Sequence, residues 1–265
     1  MTTLLLMYAM VGAIAGILAG LLGIGGGLVI VPMLVFCFGR QGIPEAVVMH
    51  LALGTSLASI MFTAVSSFRA HHRRGAVHWD VVRKIVIGIF TGTFIGSCIA
   101  AQLSTGFLKG FFVVFLYYVA FQLLTNKKPQ PSRQIPGKAA MFGVGNGIGI
   151  VSSLVGIGGG TLSVPFMIWC NMTVHHAIGT SAAIGFPIAV AGTIGYIVNG
   201  LNVEGLPSLS FGYVYIPALL GIVVTSMLTA PLGVRLAHSL PVDRLKRVFA
   251  VLLLVVGTRM LMDVL

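Results

Sequence analysis

Apolar residues along this chain gather into long continuous runs, separated by short polar connections, and do not alternate every second position. The first run goes from Leu4 to Phe38, too long for one membrane crossing, and Gly23-Ile24-Gly25-Gly26-Gly27 interrupts it with Pro32 five residues on. It predicts a spanning helix over Leu4–Leu22, a helix-breaking loop, and a half-span over Leu28–Phe38. That half-span is a short, tilted or re-entrant helix whose broken start must be surrounded by protein or a watery cavity. Further helices are predicted over Ala46–Phe68, Ile85–Gln102 and Gly110–Leu124.

The pattern then starts again. Gly156-Ile157-Gly158-Gly159-Gly160 with Pro165 repeats the interrupted run 133 positions later, and nearly half the residues from Gly12 to Cys37 recur at that shift. His50 to Ser56 returns as His175 to Ser181 at a shift of 125, and Leu108-Lys109 as Leu245-Lys246 at 137. The chain divides into a first transmembrane repeat (1–125), a basic, Pro-rich linker (126–138) and a second transmembrane repeat (139–265).

Composition fixes the class. Of 265 residues, 57% are hydrophobic and 8% charged, far below the quarter or so that a soluble globule needs, and the mean hydropathy is +1.04. Continuous runs of ~20 apolar residues point to helices and not to a barrel. The expected fold is an all-α polytopic integral membrane protein: about eight long transmembrane helices plus two short or re-entrant ones after the Gly-rich breaks. No cleavable signal is expected, since the first run has almost no basic flank and continues into the glycine motif.

Charge sets the orientation. The net charge of +11 comes from 16 Lys and Arg that sit mostly in connections. This is the positive-inside pattern, with anionic lipid as the partner and no nucleic acid. Arg69, Arg73, Arg74, Arg83 and Lys84 make the most basic connection, placed in the cytoplasm, whereas its copy from Asn199 to Gly212 has no Lys or Arg. The copy of the near-neutral connection at Lys109 instead carries Arg235, Arg244, Lys246 and Arg247. A swapped bias implies repeats of inverted topology, five helical elements each, with both termini outside. The competing count, four parallel spans per repeat with termini inside, leaves a four-cation loop outside.

Candidate chemistry centres on the glycine loops. A helix starting at such a break points free amides and the positive end of its dipole at whatever lies ahead, so Gly25, Gly26, Gly27, Gly158, Gly159 and Gly160 are candidate anion ligands. Asn146, Thr161 and Ser163 would make a duplicated site unequal, and Thr55, Ser56, Thr180 and Ser181 offer neutral hydroxyls. The bland alternatives are close helix packing for glycine and back-bonding within the helix for the hydroxyls. His50, His175 and His176 are candidates for proton coupling, against simple interfacial placement. His71, His72 and His78 read as surface residues.

All five acidic residues lie in or beside connections or at the C-terminus, which argues against a cationic substrate. Cys37, Cys98 and Cys170 lie in apolar runs and give neither a disulfide framework nor a metal spacing. No cofactor, metal or catalytic residue is expected. A membrane-embedded hydrolase would need a nucleophile with its base or acidic metal ligands, and the chain has no G-x-S-x-G.

The G-x-G-G-G-x(4)-P motif at Gly23–Pro32 and Gly156–Pro165, each followed by A-x-G-T-S at Ala52–Ser56 and Ala177–Ser181, resembles the TauE/SafE sulfite exporter family over nearly the whole chain. The resemblance implies a multi-pass permease of the bacterial inner (plasma) membrane that moves sulfite, an organosulfonate or another sulfur-containing anion. Its expected partners are that small anion, membrane lipid and a second copy of the chain in a homodimer. A secondary transporter with alternating access around the paired loops is the expected mechanism, and a channel-like anion uniporter is the alternative.

Overall fold

The computed structural model describes residues 2–22, 25–125, 134–239 and 242–262. Gly23 and Ile24 of the first motif and 126–133 of the linker lie outside them. Ten helices are described: α1 (Thr2–Leu22), α2 (Gly27–Arg40), α3 (Glu45–His72), α4 (Trp79–Gln102), α5 (Thr105–Thr125), α6 (Lys138–Val155), α7 (Gly160–Trp169), α8 (Val174–Gly200), α9 (Ile216–Ser239) and α10 (Val242–Met262). A two-residue antiparallel hairpin, β1 (Ser210–Phe211) with β2 (Val214–Tyr215), precedes α9. Six helices, α3, α4, α5, α6, α8 and α9, are long and apolar enough to cross a membrane, while α2 and α7 are shorter apolar helices.

The breaks form where the sequence demands them. Gly25 and Gly26 have φ of 78° and 80°, and Gly156 and Gly159 have 68° and 73°, left-handed values that cost most other residues ~1–2 kcal/mol. α2 and α7 then begin with no side-chain cap. Pro32 and Pro165 are each the sixth residue of their short helix. Lacking an N–H, they free the carbonyls of Leu28 and Thr161, four residues back in the first turn. Each short helix therefore opens with uncapped amides beside a free carbonyl.

The two repeats interlock through small residues. Side chains added to Gly12, Gly16 and Gly20 of α1 would strike Ile222, Ser226 and Ala230 of α9 in that order, so these helices run parallel with backbones nearly touching. Gly88, Gly92 and Gly96 of α4 meet Phe142, Asn146 and Ile150 of α6 in the same way. α3 and α8 form the buried centre and run antiparallel: Gly54 lies against Tyr196 and Leu57 against Gly192. Thr63 bonds to Ser226 and Arg74 to the Val234 carbonyl, so α3 runs with α9 and therefore with α1. The chain thus reverses twice between α1 and α3, which makes α2 a return segment in its own right.

Candidate functional site

The two glycine loops meet backbone to backbone in the buried centre. A Cβ on Gly25 would lie 3.2 Å from the Gly158 Cα, and one on Gly27 would collide with the Gly156 carbonyl. Gly158 also touches Gly185 of α8, and Gly26 backs onto Ala15 of α1, whose carbonyl is 2.7 Å from where its Cβ would be. No side chain fits between these loops. The uncapped start of α2 therefore meets the second loop between the end of α6 at Gly156 and the start of α7 at Gly160.

The A-x-G-T-S segments hold this junction with one device used twice. In α3, Gly54 admits the Tyr213 carbonyl, the Thr55 hydroxyl accepts the Tyr215 amide at 2.9 Å, and Ser56 donates to the Gly156 carbonyl at 2.8 Å. In α8, Gly179 admits the Ala76 carbonyl, Thr180 accepts the His78 amide at 3.0 Å, and the Ser181 and Ser163 hydroxyls share a bond of 2.8 Å. One segment ties the connection before α9 to the second glycine loop, and the other ties the connection after α3 to the first turn of α7. Thr55, Ser56, Thr180, Ser181 and Ser163 are all fully buried.

Two further hydroxyls stand at the start of α7. Thr161 Oγ1 and Ser152 Oγ are buried with no hydrogen-bond partner, and Ser152 Oγ would lie 3.3 Å from a Cβ on Gly159. A buried unpaired hydroxyl costs roughly 1–3 kcal/mol, which a transient polar guest would relieve. Sequence reasoning missed Ser152, which sits four residues before its loop in a run that reads as plain helix. Asn146 is elsewhere: it lies on the α4–α6 seam, accepting from Thr91 at 3.2 Å and donating to the Phe142 carbonyl at 3.0 Å.

The histidines do not gather at the loops. His50 Nε2 is 3.0 Å from the Ala100 carbonyl, and its ring stacks on Tyr213 at 5.1 Å. Burial pushes the Tyr213 phenol above its ordinary range, so it stays a neutral hydroxyl. His175 is exposed at the start of α8, and His176 meets the His78 ring at 4.5 Å. His71, expected at the surface, is buried at 1% exposure. α3 continues to His72, which carries His71 under α1, its Nε2 3.0 Å from the Gly20 carbonyl.

His71 ends a column that the sequence displays at four-residue spacing. Thr55, Ser59, Thr63, Ser67 and His71 share one buried face of α3. The matching residues of α8 are Thr180, Ile184, Ile188, Gly192 and Tyr196. Much of the column's bonding capacity is used internally: Ser59 and Thr63 bond back one turn, and Thr63 also reaches Ser226 at 2.7 Å. Beside the glycine loops lies a cavity of about 10 Å³ bounded by Ala19, Gly25, Ala64, Ser67, Ala182 and Gly185, room for no more than a water.

A family model described as "Sulfite exporter TauE/SafE" matches residues 8–260. The chain belongs to the TauE/SafE family of membrane transporters. It is 39% identical to a "Probable membrane transporter protein" of Haemophilus influenzae, over 98% of this chain and 99% of that one. A protein of the same description from Methanocaldococcus jannaschii is 29% identical over 98% of this chain and 96% of its own. One from Bacillus subtilis is 29% identical over 70% and 76%. No solved structure matches. In this TauE/SafE transporter the interruption of each apolar run is thus the central junction of the fold.

Proposed function

We propose that this chain is a secondary transporter for a small anion, with sulfite or an organosulfonate as first candidates, working by alternating access around the paired glycine loops. The observation that carries the reading is the meeting of the uncapped start of α2, Gly25–Gly27, with the loop Gly156–Gly158 that leads into the uncapped start of α7, in the buried centre. An anion entering beside this junction would meet the free amides and positive dipole end of α2, with those of α7 beginning two residues after Gly158. No Asp or Glu is buried among the described residues, and Lys109, remote from the junction, is the one buried Lys or Arg. An anion held by neutral donors can be released, as transport requires. Thr161 and Ser152 supply the unpaired hydroxyls, on one side only.

The water-sized cavity beside the loops fits a closed state, from which passage would require the halves to move. The antiparallel course of α3 and α8, and the return made by α2, support repeats inverted in a bacterial inner membrane, with eight long spans and two short ones. In that arrangement the basic connection at Arg73 and Arg74 is cytoplasmic and the one at 201–215 external. Each carries an A-x-G-T-S tie, one to the second glycine loop at Gly156 and one to Ser163 in the first turn of α7, so opposite faces of the membrane would be linked to the same broken segment. An anion leaving a cell with an interior potential of −100 mV gains ~2.3 kcal/mol per charge, enough to bias export without a coupled ion.

Proteoliposomes test this. Saturable uptake of sulfite or methanesulfonate, measured with and without a pH gradient, is the expected result. Absence of flux for every sulfur oxyanion and sulfonate tried would overturn the reading, and unsaturable conductance shared by chloride would make the protein a channel.

A further inference from the structure

A second polar site lies away from the glycine loops, where the ends of α2, α3, α5 and α10 meet. Arg40 and Arg259 stand in the last turns of α2 and α10. Their guanidinium carbons lie 5.2 and 4.8 Å from the centre of the same ring, Phe36. Two like charges are thus held about a single aromatic ring, at a Coulombic cost. The nearby carboxylate is already engaged: Glu45 pairs with Lys109, whose side chain is only 7% exposed. Among the described residues no acidic side chain pairs with Arg40 or Arg259.

These charges rim a cavity of about 530 Å³ whose interior is apolar, with Pro32 and Met33 of α2, Val48 of α3, and Val255 and Val256 of α10. The volume is in the range of small-molecule sites. Charge and apolar surface are separated along the helices: Val255, itself 63% exposed, lies one turn from Arg259, and Met33 about two turns from Arg40. A bare oxyanion would leave the apolar floor uncovered, and a cation would be repelled at the rim. The other repeat has no such corner: Gln122 stands at the position matching Arg259, at the shift that aligns Lys109 with Lys246. The fold alone therefore does not require the pair of arginines.

We propose that this cavity binds an anion bearing an aliphatic chain, its sulfonate or phosphate headgroup between Arg40 and Arg259 and its chain on Met33, Val48 and Val255. Such a ligand lies along the outer flank of α2, the helix whose first turn forms one wall of the central junction. Two sources share this chemistry, a soluble alkanesulfonate and an anionic phospholipid.

Binding of 1-octanesulfonate and methanesulfonate to the full-length protein in phosphatidylcholine nanodiscs is the test. Octanesulfonate should bind at least ~10-fold more tightly than methanesulfonate, through burial of its chain. The R40Q/R259Q variant should lose ~10-fold or more of that affinity, and R40K/R259K should keep most of it. Equal binding by wild type and a normally melting R40Q/R259Q, or no advantage for the longer chain, overturns the proposal. In nanodiscs containing phosphatidylglycerol, weakened octanesulfonate binding assigns the site to lipid, and unchanged binding assigns it to the soluble anion. Thr161→Val, which alters the central junction on α7 alone, should leave octanesulfonate binding unchanged, so this result stands or falls apart from the transport reading.

Discussion

Gly27 of the first repeat abuts Gly156 of the second so closely that a single methyl group on Gly27 would overlap the Gly156 carbonyl oxygen and press on Ile157. Glycine here is a condition for the halves to touch. Gly27→Ala should lower stability by about 1–3 kcal/mol, the usual cost of overpacking, and should reduce flux out of proportion to the loss of folded protein. Melting temperature and proteoliposome uptake, normalised to inserted protein, check this together. Wild-type flux would show that the junction is not on the transport path.

Thr161→Val separates binding from folding. Its hydroxyl is buried and bonds to nothing, so an isosteric methyl should leave stability unchanged or raise it by up to ~1 kcal/mol. If the hydroxyl meets the substrate, flux should fall about 10-fold, the worth of one hydrogen bond to a charged partner. Ser152→Ala should act in the same direction. Unchanged flux in both would remove these hydroxyls from the site.

The ties made by the A-x-G-T-S segments predict the opposite signature. Thr55→Val leaves the Tyr215 amide without its acceptor, and Thr180→Val does the same to His78. Each should destabilise by about 1–3 kcal/mol, and Thr→Ser at either position should restore most of the loss. Thermal unfolding in a neutral detergent reads this, and equal melting of the Val and Ser variants would contradict the assigned bonds.

These cases show what could be read from the chain alone. The interrupted runs, the short helices after them and the glycine face at Gly12, Gly16 and Gly20 were visible, because helix breaking and close packing depend on local residue type. The partners were not. Nothing local says that α1 lies on α9 and not on its own neighbours, so Ser152 and the pairing of Thr55 with Tyr215 could not be inferred. Asn146 is near the second loop in sequence, yet helical rotation turns it to α4. The charged neighbours of His71 point to the surface, although its four-residue spacing from Thr55 puts it on a buried face.

Orientation gives the last test, because it decides how the loops are reached. On a Cys98→Ala background the remaining thiols, Cys37 and Cys170, are buried. Ser208 and Arg73 are both exposed, one in the connection before α9, which has no Lys or Arg, and one in the basic connection after α3. A membrane-impermeant maleimide applied to intact cells should label Ser208→Cys, and should label Arg73→Cys only after permeabilisation. Inverted repeats require this split, since α3 and α8 run antiparallel through the centre and end on opposite faces. Protection of both positions in intact cells would mean that each interrupted run crosses as one span, and the glycine loops would then enter from the same side.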